Sequence, residues 1–155
     1  MTLLKTLLFT VLVPGTVTVL LPYELTGWRA PAQVGVANVG GLLLLCAGAA
    51  IYAHCAWHFT FSGQGTPALI DPPKVMVARG LYRYTRNPMY VGVLCVLLGE
   101  SLWFAAGRLL AYAALVGLLF HLFVTLYEEP DLTRRFGAAY QQYCQNVPRW
   151  FGWRS

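Results

Sequence analysis

Long apolar runs separated by short polar knots organise this chain. The first run extends from Leu3 to Leu21 and is interrupted by Pro14 and Gly15. The second covers Val34 to Phe61, the third Pro88 to Ala106 and the fourth Leu109 to Tyr127. Each meets the requirement of roughly 20 residues for a helix that crosses a bilayer. The pattern therefore predicts an all-α fold, a polytopic membrane helical bundle with about four transmembrane helices. The second run is longer than needed, and its end, Trp57-His58-Phe59, suits an aromatic anchor in the interface. After the fourth run, Phe136, Tyr140, Tyr143 and Cys144 recur at spacings of three and four, which predicts a C-terminal amphipathic helix over Asp131 to Gln145. Pro130 suits its first turn. Val147-Pro148-Arg149-Trp150 ends it, and Trp150, Phe151 and Trp153 can sit at the interface.

Between the second and third runs, Gly63-Gln64-Gly65-Thr66-Pro67 and Asp71-Pro72-Pro73 break helix. Leu69, Ile70, Val75, Met76 and Val77 make this stretch too apolar for a free linker. It is expected to lie on the membrane surface or to fold over a pocket. No internal repeat is evident, and the 155 residues fit one domain. Lys5 ahead of an apolar run resembles the start of a signal peptide. Leu21-Pro22-Tyr23-Glu24 is a poor cleavage site, so the first run is read as retained.

Composition sharpens the membrane reading. Residues are 57% hydrophobic and 11% charged, against about 25% charged in soluble domains. The net charge of +5 does not indicate nucleic-acid binding, because the cations are few and sit at the edges of the apolar runs. Lys74, Arg79, Arg83 and Arg86 lie in the long loop, and Arg134, Arg135, Arg149 and Arg154 in the tail. Only Arg29 and Arg108 fall on the other side. This bias puts both termini and the long loop in the cytoplasm, and the short chain suggests a bacterial inner membrane. Cys46, Cys55, Cys95 and Cys144 are scattered and read as small buried hydrophobes rather than a disulfide set or metal site.

Two polar knots carry the candidate chemistry. One is basic, Gly80-Leu81-Tyr82-Arg83-Tyr84-Thr85-Arg86-Asn87-Pro88-Met89-Tyr90-Val91-Gly92. The other is acidic, Tyr127-Glu128-Glu129-Pro130. The third and fourth runs form a hairpin turning near Gly107. Pro88 lies about 19 residues before that turn and Glu128 about 21 after it, hence roughly 28 and 31 Å away along the helices. Both knots then share one depth, and Arg86, Asn87 and Tyr90 should lie near Glu128 and Glu129. Gly92 permits close approach of another helix or a ligand. Adjacent acids at a helix C-terminus oppose its dipole. Either an arginine, Arg83 or Arg86, or a cationic ligand must compensate them.

As an ordered set, these motifs resemble the isoprenylcysteine carboxyl methyltransferase and phospholipid methyltransferase superfamily of small membrane enzymes. The matching elements are Gly63-x-Gly65-Thr66-Pro67, Asp71-Pro72-Pro73, Gly80-x-Tyr82-Arg83-x-x-Arg86-Asn87-Pro88-x-Tyr90-x-Gly92, Glu128-Glu129-x-x-Leu132, Phe136-Gly137-x-x-Tyr140-x-x-Tyr143 and Val147-Pro148-Arg149, covering about 62–150. Eukaryotic members commonly carry histidine where this chain has Asn87. The resemblance implies S-adenosylmethionine as methyl donor, S-adenosylhomocysteine as product, and a lipid or amphiphilic small-molecule acceptor drawn from the membrane lipids. It implies cofactor-binding roles for Tyr82, Arg86, Asn87, Pro88, Tyr90, Gly92, Glu128, Glu129 and Tyr140, and catalytic roles for Arg86, Asn87, Tyr90 and Arg149. Glu128 and Glu129 can hold the donor's ammonium and ribose hydroxyls, and Arg86 or Arg149 its carboxylate in a bidentate way. Tyr82, Tyr90 or Tyr140 can face the sulfonium or adenine. Carboxyl or other oxygen methylation is the first expectation and nitrogen methylation of a lipid headgroup the second.

Other signals are weaker. Gly63-Gln64-Gly65-Thr66-Pro67-Ala68 fits a loose dinucleotide pattern but follows an apolar helix instead of a strand. His54 and His58 are four apart, with no third metal ligand evident. Glu100 and His121 are intramembrane ionisable residues at different depths. They are not expected to pair, and Glu100 is expected to meet Arg108 or a helix contact. A non-enzymatic scaffold or small transporter subunit would explain the hydrophobicity equally well. It would not explain acid and base knots at one depth, since a transporter places its polar groups near the midplane.

Overall fold

A computed structural model describes residues 2–29, 31, 34–62 and 79–150, and helices form nearly all of that. The motifs at Gly63–Pro67 and Asp71–Pro73, the expected surface stretch and the aromatic residues Phe151 and Trp153 lie outside the described residues. Helix α1 (Thr2–Leu12) leads through Pro14 into a wide π-helical turn at Thr16–Leu20 and then into α2 (Leu21–Thr26). Proline has no N–H for the preceding turn. Threonine hydroxyls take up carbonyls there, Thr16 donating to the Leu12 carbonyl at 2.6 Å and Thr18 to the Pro14 carbonyl at 2.8 Å. Helix α3 (Val36–Ser62) is followed by a 3-10 turn at Gly80–Arg83 and then α4 (Pro88–Trp103). Next come α5 (Gly107–Phe123), a second π-helical turn at Val124–Glu128, α6 (Glu129–Phe136) and α7 (Ala138–Asn146).

Among the described residues, three helical stretches are long and apolar enough to cross a membrane: Thr6–Thr26, Val36–His58 and Gly107–Phe136. The third apolar run is shorter than its hydrophobicity suggested. Helix α4 has 16 residues, and at its end Asn38 on α3 donates its side-chain amide to the last-turn carbonyls of Leu102 (3.3 Å) and Trp103 (2.7 Å). Ala105 then turns the chain with a φ of 49°. The C-terminal helix also departs from expectation. Its first half begins at Glu129 and continues the fourth run, and Gly137, at φ 54°, separates it from α7. A side chain at that φ would be strained, which is why glycine marks the break.

Antiparallel α3 and α4 meet along a glycine seam. Gly41 faces Gly99 and Gly48 faces Gly92, so closely that a Cβ on Gly48 would stand 2.6 Å from the Gly92 carbonyl oxygen. Small residues let helix backbones approach in lipid, where dispersion and packing replace the hydrophobic drive. Val93 and Leu97 of α4 then pack on Ala113 and Val116 of α5, with Tyr52 and Phe120 around them. Outward-facing Leu43, Leu110, Leu115, Leu118 and Leu119 stay exposed, as lipid-facing positions would. Gly48→Ala should force the α3–α4 backbones apart. The expected cost is about 1–3 kcal/mol, the usual range for overpacking, read as a lower thermal midpoint in detergent. An unchanged midpoint would remove the seam from the account of stability.

Candidate active site

Helix pairing brings the two knots together at one end of the bundle. Asn87 occupies the N-cap position of α4 but makes no side-chain cap there. Pro88 follows at the first turn and has no N–H to be capped. The Asn87 amide instead donates to the Arg149 carbonyl at 2.9 Å, and the Thr85 hydroxyl donates to the same carbonyl at 3.1 Å. The Arg86 backbone N–H donates to the Pro148 carbonyl at 2.9 Å. These bonds strap the tail after α7 onto the turn that starts α4 and fix where Arg149 emerges.

Arg149 then meets the acidic knot. Its Nε donates to Glu129 Oε1 and its Nη2 to Glu129 Oε2, both at 2.8 Å. Arg86 Nη1 donates to Glu129 Oε1 at 2.8 Å and also approaches Cys144 Sγ at 3.1 Å. Glu129 thus sits between two guanidiniums, one in the bidentate geometry that arginine and carboxylate favour. Its carboxylate holds the Arg149 guanidinium above its ordinary pKa. The pairing partner is not Arg83, which is exposed.

Glu128 is different. The π-helical turn ends at Glu128, and the Glu128 side chain accepts a hydrogen bond from the Tyr90 hydroxyl at 2.9 Å. No arginine, lysine or histidine pairs with it among the described residues. Such turns insert an extra residue and recur at functional sites. A second vacancy in the polar network lies on Arg86, whose Nε is buried without a hydrogen-bond partner. Buried donors are nearly always satisfied. Among the described residues, the cluster thus holds one carboxylate without a paired cation and one guanidinium N–H without an acceptor.

The remaining expected residues fall around this centre. Tyr90 stacks obliquely on Phe120, with centroids 4.6 Å apart. Tyr82 is buried and hydrogen-bonded to Cys55 of α3, while its backbone carbonyl accepts from Tyr143 at 2.7 Å. Tyr140 is buried beside Tyr143. Burial raises the phenols of Tyr82, Tyr140 and Tyr143, keeping them protonated hydrogen-bond donors. Pro88 is fully buried, and Gly92 faces Gly48 in the helix seam.

Four contributors are not expected at this site from the sequence: Thr85 is not singled out there, Cys144 reads as a small buried hydrophobe on the amphipathic helix, His121 as an intramembrane ionisable residue and Trp150 as an interfacial aromatic. Trp150 Nε1 donates to His121 Nδ1 at 3.1 Å, which ties the tail to α5. Glu100, expected to meet Arg108 or a helix contact, makes no ion pair with Arg108 among the described residues and lies at the other end of α4.

The profile of the family described as phospholipid methyltransferase matches residues 36–139. The chain belongs to this family. It is a membrane methyltransferase by that membership, which agrees with the resemblance carried by the motifs. The phospholipid methyltransferase match includes Tyr82, Arg86, Asn87, Pro88, Tyr90, Gly92, Glu128 and Glu129. Tyr140 and Arg149 lie beyond its end. No curated protein and no solved structure matches the chain.

Proposed function

We propose that this protein transfers a methyl group from S-adenosylmethionine to a lipid-embedded or amphiphilic acceptor, at the end of the bundle where Arg86, Tyr90, Glu128, Glu129 and Arg149 converge. The carrying observation is the difference between the two acids. Glu129 is neutralised by two arginines and Glu128 by none. The donor bears an α-ammonium and a carboxylate. Glu128 suits the first, and the free Nε of Arg86 suits the second. When bound, it supplies an electrophilic methyl group on a sulfonium. The chain's own residues bind, orient and exclude water, which is where catalysis of an in-line displacement arises. Arg149 and Asn87 position Glu129 and the tail, Tyr90 positions Glu128, and Tyr82 and Tyr140 wall the cluster.

With Glu128 committed to an ammonium and Glu129 to two guanidiniums, the cluster has no carboxylate left to deprotonate an amine. An acceptor that arrives already as an anion needs no base, so carboxyl methylation is the first reading. Nitrogen methylation of a lipid headgroup is the second, favoured by the description of the matched family. The excess of Lys and Arg in the long loop and tail orients this end, with both termini, toward the cytoplasm.

The test is methyl-labelled donor incubated with the purified protein and a membrane lipid extract. We expect label in the organic phase, released as volatile methanol by mild alkali. Label that resists alkali would replace the ester with an N-methyl or ether O-methyl product, which mass spectrometry of the labelled lipid separates. No transfer and no saturable binding of S-adenosylhomocysteine, in folded and reconstituted protein, would favour the scaffold or transporter reading.

A further inference from the structure

A second polar feature lies far from this cluster. Glu100 is 12 residues beyond Pro88 on α4, hence roughly 18 Å along the helix. It is only 5% exposed, and its Oε2 is buried with no hydrogen-bond partner. Neither Arg29 nor Arg108, the cations at this end of the chain's helices, forms an ion pair with it among the described residues. Glu100 borders a cavity of about 340 Å³ walled by Thr18, Trp28, Leu42, Val96, Trp103 and Phe104. That volume is at the lower end for small-molecule sites.

Several independent features build this cavity. The π-helical turn at Thr16–Leu20 carries Thr18 into its wall. Trp28 adopts a φ of 48°, unusual for a bulky residue, just after Gly27 at 61°. This reversal sets Trp28 edge-on to Tyr23, 5.8 Å between centroids, at the rim. Ala105, at φ 49°, reverses the chain directly after Trp103 and Phe104. Trp28 and Leu42 remain exposed at the mouth, on the outside of the bundle.

An ionisable group inside a membrane protein is costly unless it has a partner, and none of the described residues hydrogen-bonds Glu100 Oε2 or forms an ion pair with Glu100. A carboxyl that shares a mostly apolar cavity lining with two indoles and a phenyl ring is complementary to an alkylammonium ion. The carboxylate pairs with the charge, the aromatic faces attract it, and the apolar wall takes a hydrocarbon chain. We propose that this cavity binds a membrane amphiphile with an ammonium head and an alkyl chain, the head against Glu100, in a site separate from the Arg86–Glu129 cluster. The proposal does not rest on the methyl-transfer reading.

The test uses a photoreactive dodecylamine on the purified full chain in non-ionic detergent, with adducts mapped by mass spectrometry. Adducts are expected within 18–28, 42–45 or 96–104, and unlabelled dodecylammonium should compete at least tenfold better than dodecanol or dodecanoate. Glu100→Gln should erase that preference. Leu42→Trp, which fills the cavity and keeps the carboxyl, should remove the adducts. Adducts confined to other segments, equal competition by dodecanol or dodecanoate, or unchanged labelling in Leu42→Trp would each overturn the site.

Discussion

Glu128→Gln should weaken S-adenosylhomocysteine binding by roughly 10- to 100-fold, equivalent to the 1.5–3 kcal/mol of a hydrogen bond to a charged group. The product carries the same ammonium as the donor, so calorimetric titration reads the ionic contact without turnover. Glutamine keeps the length of glutamate and an oxygen to accept from Tyr90, whose hydroxyl lies 2.9 Å from the carboxylate. The fold should therefore tolerate the change, with little movement of the thermal midpoint. Loss of affinity at constant stability is the signature of a residue that holds ligand rather than structure. Equal affinity in the variant and the parent would sink the assignment of Glu128 and leave the acidic knot without a binding role.

Glu129→Ala should behave in the opposite sense. It removes the shared acceptor of three guanidinium hydrogen bonds and leaves Arg86 and Arg149 facing each other. Breaking a buried pair by deleting one partner costs about 3–5 kcal/mol. Glu129 and Arg86 are 16% and 14% exposed but Arg149 is 35% exposed, so a loss of roughly 2–3 kcal/mol is the expected figure on that scale. The tail should also come loose, because its remaining ties are the bonds to Thr85, Arg86 and Asn87 and the Trp150–His121 contact. The prediction is a lower thermal midpoint, faster proteolysis after α7, and methyl transfer down by roughly 100-fold or more through misplacement of the site. Arg149→Lys should fall between, since lysine keeps the charge without the bidentate fork. Wild-type stability and a protected tail in Glu129→Ala would show that the clamp is dispensable.

The contrast between these two glutamates was not legible in the sequence. Hydrophobic run lengths and the hairpin turn were enough to bring Arg86 and Tyr90 to the depth of Glu128 and Glu129, because helix rise is constant. Which acid meets which base depends on helix phase. The π-helical turn at Val124–Glu128 shifts that phase by a residue, and no local pattern announces it. Arg149 was nameable as a ligand for a carboxylate, yet the carboxylate it holds is Glu129. That pairing depends on the strap from Thr85 and Asn87 to the tail, a contact across some sixty positions. The end of α4 is likewise held from a distance. Asn38, near the start of α3, caps carbonyls in the last turn of α4 across more than sixty positions. Gly92 was read as room for a helix or a ligand, and α3 occupies that room.

The shortness of α4 has a consequence for the surrounding lipid. Sixteen residues span roughly 24 Å at 1.5 Å per residue, less than the hydrocarbon thickness of about 30 Å. Its neighbours, α3 with 27 residues and the continuous stretch Gly107–Phe136 with 30, are longer, so the bundle cannot adjust by tilting as a whole. Lipids beside α4 must compress, or its polar ends must sink below the headgroup plane. Both ends of α4 are chemically loaded, with Arg86 and Tyr90 at one and Glu100 at the other. Hydrophobic mismatch thus brings headgroups and buried polar side chains to a common level, and makes bilayer thickness a variable on which access of the proposed amphiphiles would depend.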